Sequence, residues 1–294
     1  MRHSAKLYQA NCEIKKRMQW ISIMTQAVTR QWLEDQIREM KPWHHDIQIH
    51  DDFSVGDVFG AEAKLARANN DGVSLIEPKE KFFERLNGVY PDGLAGKRFL
   101  DCACNAGVYC FCARDAGAEY SFGFDIRDHW IQQANFIKEH RTVTPTDGID
   151  FEVLDLYDLP DKELEPFDFT FFSGIFYHLP DPIHGLKIAA DMTRDVIVVN
   201  TASIYDPDNP GGLTPRRRSS SDPVMSGVSE MAWFPNGPKA ILLILNWMGF
   251  REFKLTKFIQ RDDRHRFEVF GAREPGRLKD LAGSEMKVRN KDFS

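Results

Sequence analysis

FLDCACNAGVY, residues 99 to 109, is the stretch that decides the fold: an apolar strand ending on an acid, a small-residue loop with one glycine, and the start of a helix. Working outward, KRFLDCA is the strand and GVYCFCARDAG the helix. The alternation then continues with EYSFGFDI, HWIQQANFIKEHR, GIDFEVLDL, FDFTFFSGI, PIHGLKIAADM and DVIVVNTAS. Strands that are apolar throughout, rather than alternating, are covered on both faces, which calls for a parallel sheet between helices. The helix GPKAILLILNWMGF and two strands, REFKLTKFI and RHRFEVFGARE, follow; the short link QRDD between the strands makes them an antiparallel hairpin. The expected fold is a Rossmann-like α/β sheet of seven strands, mostly parallel, over residues 95–274. An N-terminal helical appendage or lid, 1–94, precedes it, and a polar tail, 275–294, follows.

The appendage opens with an amphipathic helical segment over 13–40, in which Ile14, Met18, Ile21, Val28, Trp32 and Leu33 recur at helical spacing. It packs on the core, covers a site, or meets a second copy of the chain in a homodimer. KPWHHDIQIHDDFSVGDVFG, 41–60, reads as loop with a short strand, and 77–86 as a helix. Residues 203–235, rich in Pro, Gly and Ser, read as a long loop on the acceptor side.

Four of the five cysteines lie at 102, 104, 110 and 112. An odd number crowded into one stretch makes no disulfide framework, and the spacing is not that of paired zinc knuckles. Cys110 and Cys112 on one helix point in different directions, so the expectation is compact buried thiols and no metal. The net charge of −6 weighs against a protein whose main partner is nucleic acid. No run reaches the ~18 apolar residues of a membrane span, and the N-terminus lacks a secretory core, so the chain is expected in the cytoplasm with no membrane partner.

In open α/β sheets ligands bind beyond the carboxyl ends of the strands, at the switch point beside the first. There Asp101 closes the first strand, Gly107 allows close backbone approach, and the helix start offers free N–H groups. Asp125, eighteen residues after Gly107, closes the second strand, where an acid accepts both ribose hydroxyls; Asp155 closes the third, beside an adenine. A dinucleotide loop wants G-x-G-x-x-G, but the chain has Ala103, Asn105, Gly107 and then Cys110. Asp101 would face a pyrophosphate unfavourably and suits an ammonium instead, so S-adenosylmethionine is preferred over NAD.

FLDCACNAGVYCFCARDAGA, with FGFDI, VLDL and FFSGIFYHLPDPIHGL, resembles class I S-adenosylmethionine-dependent methyltransferases. GIFYHLPDPIHGL and WFPNGPKAILLILNWMGF are similar to the group of bacterial wobble-uridine tRNA carboxymethyltransferases and their relatives. The resemblance spans about 41–270. It implies that Asp101, Ala103, Cys104, Asn105 and Gly107 line the methionine and ribose end, Asp125 and Ile126 the ribose, and Asp155 with Leu156 the adenine. Ser173 and Gly174 complete the set. Ala103 stands where the family's first loop glycine usually is.

Tyr177 and His178 follow the fourth strand, near the expected sulfonium, as the candidate catalytic pair. His178 is either a general base or a histidine bonded to loop backbone. Trp43, His44, His45 and Trp233 are the candidate acceptor-binding residues, with Phe234 read as core, His184 as surface and Arg216 to Arg218 as a solvated run or an anion anchor. The composition favours methyl transfer to a small-molecule acceptor. A tRNA wobble-uridine acceptor is the alternative, and a non-catalytic cofactor-binding protein the third reading.

Overall fold

The structure is a computed structural model that describes residues 28–65, 73–76, 79–217, 231–261 and 264–288. The chain divides into two compact units, 1–41 and 42–294. In the first unit α1, Arg30–Glu39, starts at Thr29, whose hydroxyl accepts from Trp32 N–H at 3.2 Å, and buries Leu33 and Ile37. The expected helix over 13–27 lies outside the described residues.

The second unit begins with three short strands, β1 (Trp43–His45), β2 (Gln48–His50) and β3 (Phe53–Ser54), where one was expected. Then come α2 (Val55–Leu65), β4 (Val73–Ile76), which pairs in parallel with β1, and α3 (Lys79–Val89). The alternating core follows: β5 (Arg98–Cys102), α4 (Val108–Asp115), β6 (Tyr120–Asp125), α5 (Asp128–His140), β7 (Ile149–Val153), β8 (Phe167–Ser173), α6 (Pro182–Asp191) and β9 (Thr193–Ser203). Two 3₁₀ turns, Leu156–Lys162 and Phe176–His178, follow β7 and β8. β10 (Leu213–Arg217), β11 (Met231–Pro235), α7 (Pro238–Trp247), β12 (Glu252–Arg261), β13 (Arg264–Ala272) and β14 (Ser284–Met286) complete the chain.

The main sheet has the order β14-β12-β13-β9-β8-β5-β6-β7. β5 to β9 run parallel and β13 lies antiparallel to both β9 and β12, as the short link required. Both faces are apolar. On one, Phe82 of α3 meets Phe99 and Phe171, with ring centroids 5.8 and 5.5 Å away; on the other, Leu100, Phe172, Val199, Leu245 and Phe267 share a core. Each such side chain contributes roughly 1.5–3 kcal/mol on burial.

Two expectations are corrected. The described part of the tail, 275–288, is docked: Leu278 and Leu281 are buried, β14 adds an eighth strand beside β12, and the buried Lys254 ammonium donates to the carbonyls of Lys279 and Leu281. Its polar composition hid two leucines spaced to seal the sheet edge. The stretch 203–235 is also not all loop, because β10 and β11 pair antiparallel. Asn236, buried behind them, accepts from the Thr214 hydroxyl at 2.6 Å and donates to the Asn209 carbonyl at 3.0 Å. No described helix is long and apolar enough to cross a membrane.

Candidate active site

The loop after β5 is wound tightly. Ala103, Asn105 and Gly107 hold φ of 59°, 54° and 77°. Asn105 tolerates the left-handed region, whereas an alanine there stores about 1 kcal/mol or more. Gly107 is closely packed. A Cβ on it would lie 2.4 Å from the Phe151 ring, so it seats the helix start on β7, and it lines neither of the cavities described below. The backbone of Cys104 is likewise engaged, its N–H donating to the Phe124 carbonyl and its carbonyl accepting from Gly107 N–H. Its thiol, with that of Cys110, packs over Gly123. Burial pushes all four described thiols up, Cys112 to about 12, which leaves them poor nucleophiles and poor ligands.

The winding turns backbone amides toward the second strand. Asp125 accepts from Asn105 N–H at 3.2 Å and Arg127 N–H at 3.1 Å, which fixes its carboxylate at the rim of a cleft of about 670 Å³. Burial raises its pKa against the lowering effect of those amides. Asp155 accepts from Tyr157 N–H at 3.0 Å and caps the 3₁₀ turn, so that Leu156 and Tyr157 face the same cleft as Ile126. Ala103, Ser173 and Gly174 line the cleft as expected, and so does His44.

A second cavity, about 240 Å³, adjoins the first and shares Ala103, Asn105, Ser173 and Gly174 with it. Asp101 lies here, 2% exposed, and its Oδ2 has no hydrogen-bond partner among the described residues. Burial and then Asp125 push its pKa well above the usual carboxylate range. An unpaired buried carboxylate is costly in a ligand-free protein, and an ammonium placed against it offsets that cost. The site therefore fits an amino-acid-bearing nucleoside. The cavity is otherwise rich in cations: Lys81, Arg85, Lys257 and Arg266 line it, against Glu268.

Tyr177 and His178, on the turn after β8, both line the cleft, with ring centroids 4.2 Å apart. Arg266 donates to the Tyr177 hydroxyl at 3.3 Å. His44 packs on Trp130, and its pKa is lowered by burial, Arg127 and His129. His45 lines the second cavity, its pKa lowered to about 4 by burial and then His44. Two aromatic expectations fail. Trp43 is wholly buried, because pairing of β1 with β4 carries its indole into the interior. Trp233 lines neither cavity; its neighbour Phe234, on the opposite face of β11, stacks on Tyr177 at 5.7 Å and 14°. Sequence reading passed over Arg266, Lys257, Asn200 and Glu268. The available signal was the pair Arg266 and Glu268 at alternate positions of the strand RHRFEVFGA, which places both on one face.

The core order β7-β6-β5-β8-β9-β13-β12, with only β13 reversed, and a nucleoside-sized cleft at the switch point frame the comparison with known proteins. Residues 94–211 match the family described as Methyltransferase domain. The fold is similar to that of the N-terminal domain of EvdMO1, a structure solved with SAH bound, with TM-score 0.64, 18% identity, and coverage of 83% of this chain and 97% of that one. Domain match, fold and relatives agree on an S-adenosylmethionine-dependent methyltransferase that resembles the class I family. Among curated proteins it is similar to the tRNA U34 carboxymethyltransferase of Marinobacter nauticus, 24% identical over 272 residues, covering 81% of this chain and 78% of the relative. It is also similar to the tRNA U34 carboxymethyltransferase of Campylobacter hominis, 34% identical over 115 residues; that match spans 39% of each chain.

Proposed function

We propose that the chain transfers a carboxymethyl group from a carboxylated S-adenosylmethionine to a uridine of tRNA. In this reading Asp125 accepts the ribose hydroxyls, Ile126, Leu156 and Tyr157 flank the adenine beside Asp155, and Asp101 accepts the ammonium of the methionine arm. The donor supplies an activated carbon on a sulfonium, and the protein's part is alignment of that carbon with the attacking atom and exclusion of water. Tyr177 and Phe234 wall the acceptor side; the attacking group bonds to the transferred carbon as the carbon–sulfur bond breaks and S-adenosylhomocysteine leaves, and His178 takes the proton which that group loses.

One observation carries the carboxylate. The cavity that adjoins the cleft beside Ser173 and Gly174 holds more cations than its acids neutralise. Arg85 is paired with Glu268 at 3.0 Å, whereas the Lys257 ammonium has no hydrogen bond or ion pair among the described residues. Burial, Arg85, Lys81 and Arg266 lower the Lys257 pKa while Glu268 raises it, as expected for an ammonium awaiting an anion. Support for tRNA over the small-molecule acceptor that the composition favoured is the name carried by the sequence relatives.

Calorimetry with S-adenosylmethionine and its carboxylated form tests the donor. The carboxylated form should bind at least about tenfold tighter, and Arg266→Ala or Lys257→Ala should erase the difference while sparing the plain donor. Equal affinities in the wild type would overturn the carboxylate. The net charge of −6 favours a second reading, plain methylation of a small molecule. Failure to bind tRNA at low ionic strength would select it.

A further inference from the structure

Asn200 sits at the carboxyl end of β9, where its backbone carbonyl accepts from Gly174 N–H at 2.8 Å, and its side chain lines the second cavity. Across the β9–β13 ladder it lies opposite Glu268, and its Nδ2 donates to Glu268 Oε2 at 2.9 Å. Glu268 is 1% exposed and also accepts from Arg85 Nε at 3.0 Å and the Thr256 hydroxyl at 2.6 Å. A carboxylate paired with a guanidinium has no proton to give, so it takes only the NH₂ end of the amide. The amide is therefore oriented with Oδ1 away from Glu268, and that oxygen has no hydrogen bond to any described residue.

Oδ1 is thus an acceptor in a cavity where Lys257 and Arg266 carry more N–H groups than a single carboxylate takes, while the other unpaired acceptor, Asp101 Oδ2, is assigned to the ammonium of the donor. An acceptor molecule that satisfies Oδ1 and the remaining N–H groups presents a donor between acceptors. The uracil ring does so, with its N3–H flanked by two carbonyl oxygens. We propose that Asn200, oriented by Glu268, accepts a hydrogen bond from the imide N–H of the acceptor uracil, which makes Asn200 a specificity-determining residue and Glu268 a positioning residue. The inference rests on the reading that the acceptor is a uridine.

The test is titration of the full chain, saturated with S-adenosylhomocysteine, with uridine and with 3-methyluridine, which lacks the N–H. The wild type should prefer uridine about tenfold, the effect of one hydrogen bond with a buried partner. Asn200→Ala should lose the preference by weakening uridine alone. Glu268→Gln, whose amide can present either end to Asn200, should narrow it. Unchanged S-adenosylhomocysteine affinity in both variants reports that they are folded. Absence of uridine binding, equal affinities in the wild type, or an undiminished preference in Asn200→Ala would overturn the proposal. If instead the uridine preference holds while tRNA fails to bind at low salt, the tRNA reading falls and the role of Asn200 stands.

Discussion

The two cavities that meet at Gly174 are built differently. The nucleoside cleft is assembled in chain order from successive strand ends, Asp125 closing β6 and Asp155 following β7, with Asp101 near the end of β5 in the adjoining cavity. The cation-lined cavity draws Lys81 and Arg85 from α3, Asn200 from β9, Lys257 from β12 and Arg266 and Glu268 from β13. In the first, function follows chain order. In the second it follows strand register, and residues far apart in sequence converge only once the reversed strand β13 has paired with β9.

This difference can be attacked by substitution. The largest stability effect should come from Gly107→Ala, which drives a Cβ to within 2.4 Å of the Phe151 ring while holding alanine at a φ of 77°. The expected cost is about 3 kcal/mol or more, read by denaturant unfolding. A loss below about 1 kcal/mol would return Gly107 to the ligand rather than to packing. Next, Leu278→Ala removes a fully buried side chain from the docked tail and should cost about 2–4 kcal/mol. A neutral result would make the tail an accessory to the sheet edge and not part of its core. The smallest effect is expected from Ala103→Gly. Relief of left-handed strain of about 1–2 kcal/mol is offset by the ~0.4–1 kcal/mol entropy cost of glycine, for a net gain of roughly 0.5 kcal/mol. A clear destabilisation would show that the loop is not strained at Ala103.

The contrast also explains what could be read from the sequence. The positions of Asp101, Asp125, Leu156, Tyr177 and His178 beside the two cavities were legible because each lies at or shortly after the end of an apolar strand. The parallel order and the reversed β13 were legible from helix-length and turn-length connections. Trp43 and Trp233 misled because facing in a strand flips every residue, and which face is inward depends on a partner strand that the local sequence does not name. Arg266 and Glu268 carried the right alternation, but only the β9–β13 register shows that Glu268 meets Asn200. The docked tail was missed because its two buried leucines lie among charged residues.

The central claim is that Asp101 is kept buried and unpaired to receive an ammonium. Burial lifts its folded-state pKa above the unfolded value, so the carboxyl favours the ligand-free fold only at acid pH, and that contribution is lost as pH rises through the folded-state value. Asp101→Asn removes the buried charge. The direct measurement is calorimetry with S-adenosylhomocysteine at neutral pH, paired with the ligand-free melting temperature, on wild type and Asp101→Asn. The account predicts that the variant loses about 100-fold or more in affinity while melting roughly 2–4 °C higher, the shift of about 1 kcal/mol in a chain of this size. Undiminished affinity in the variant would contradict it.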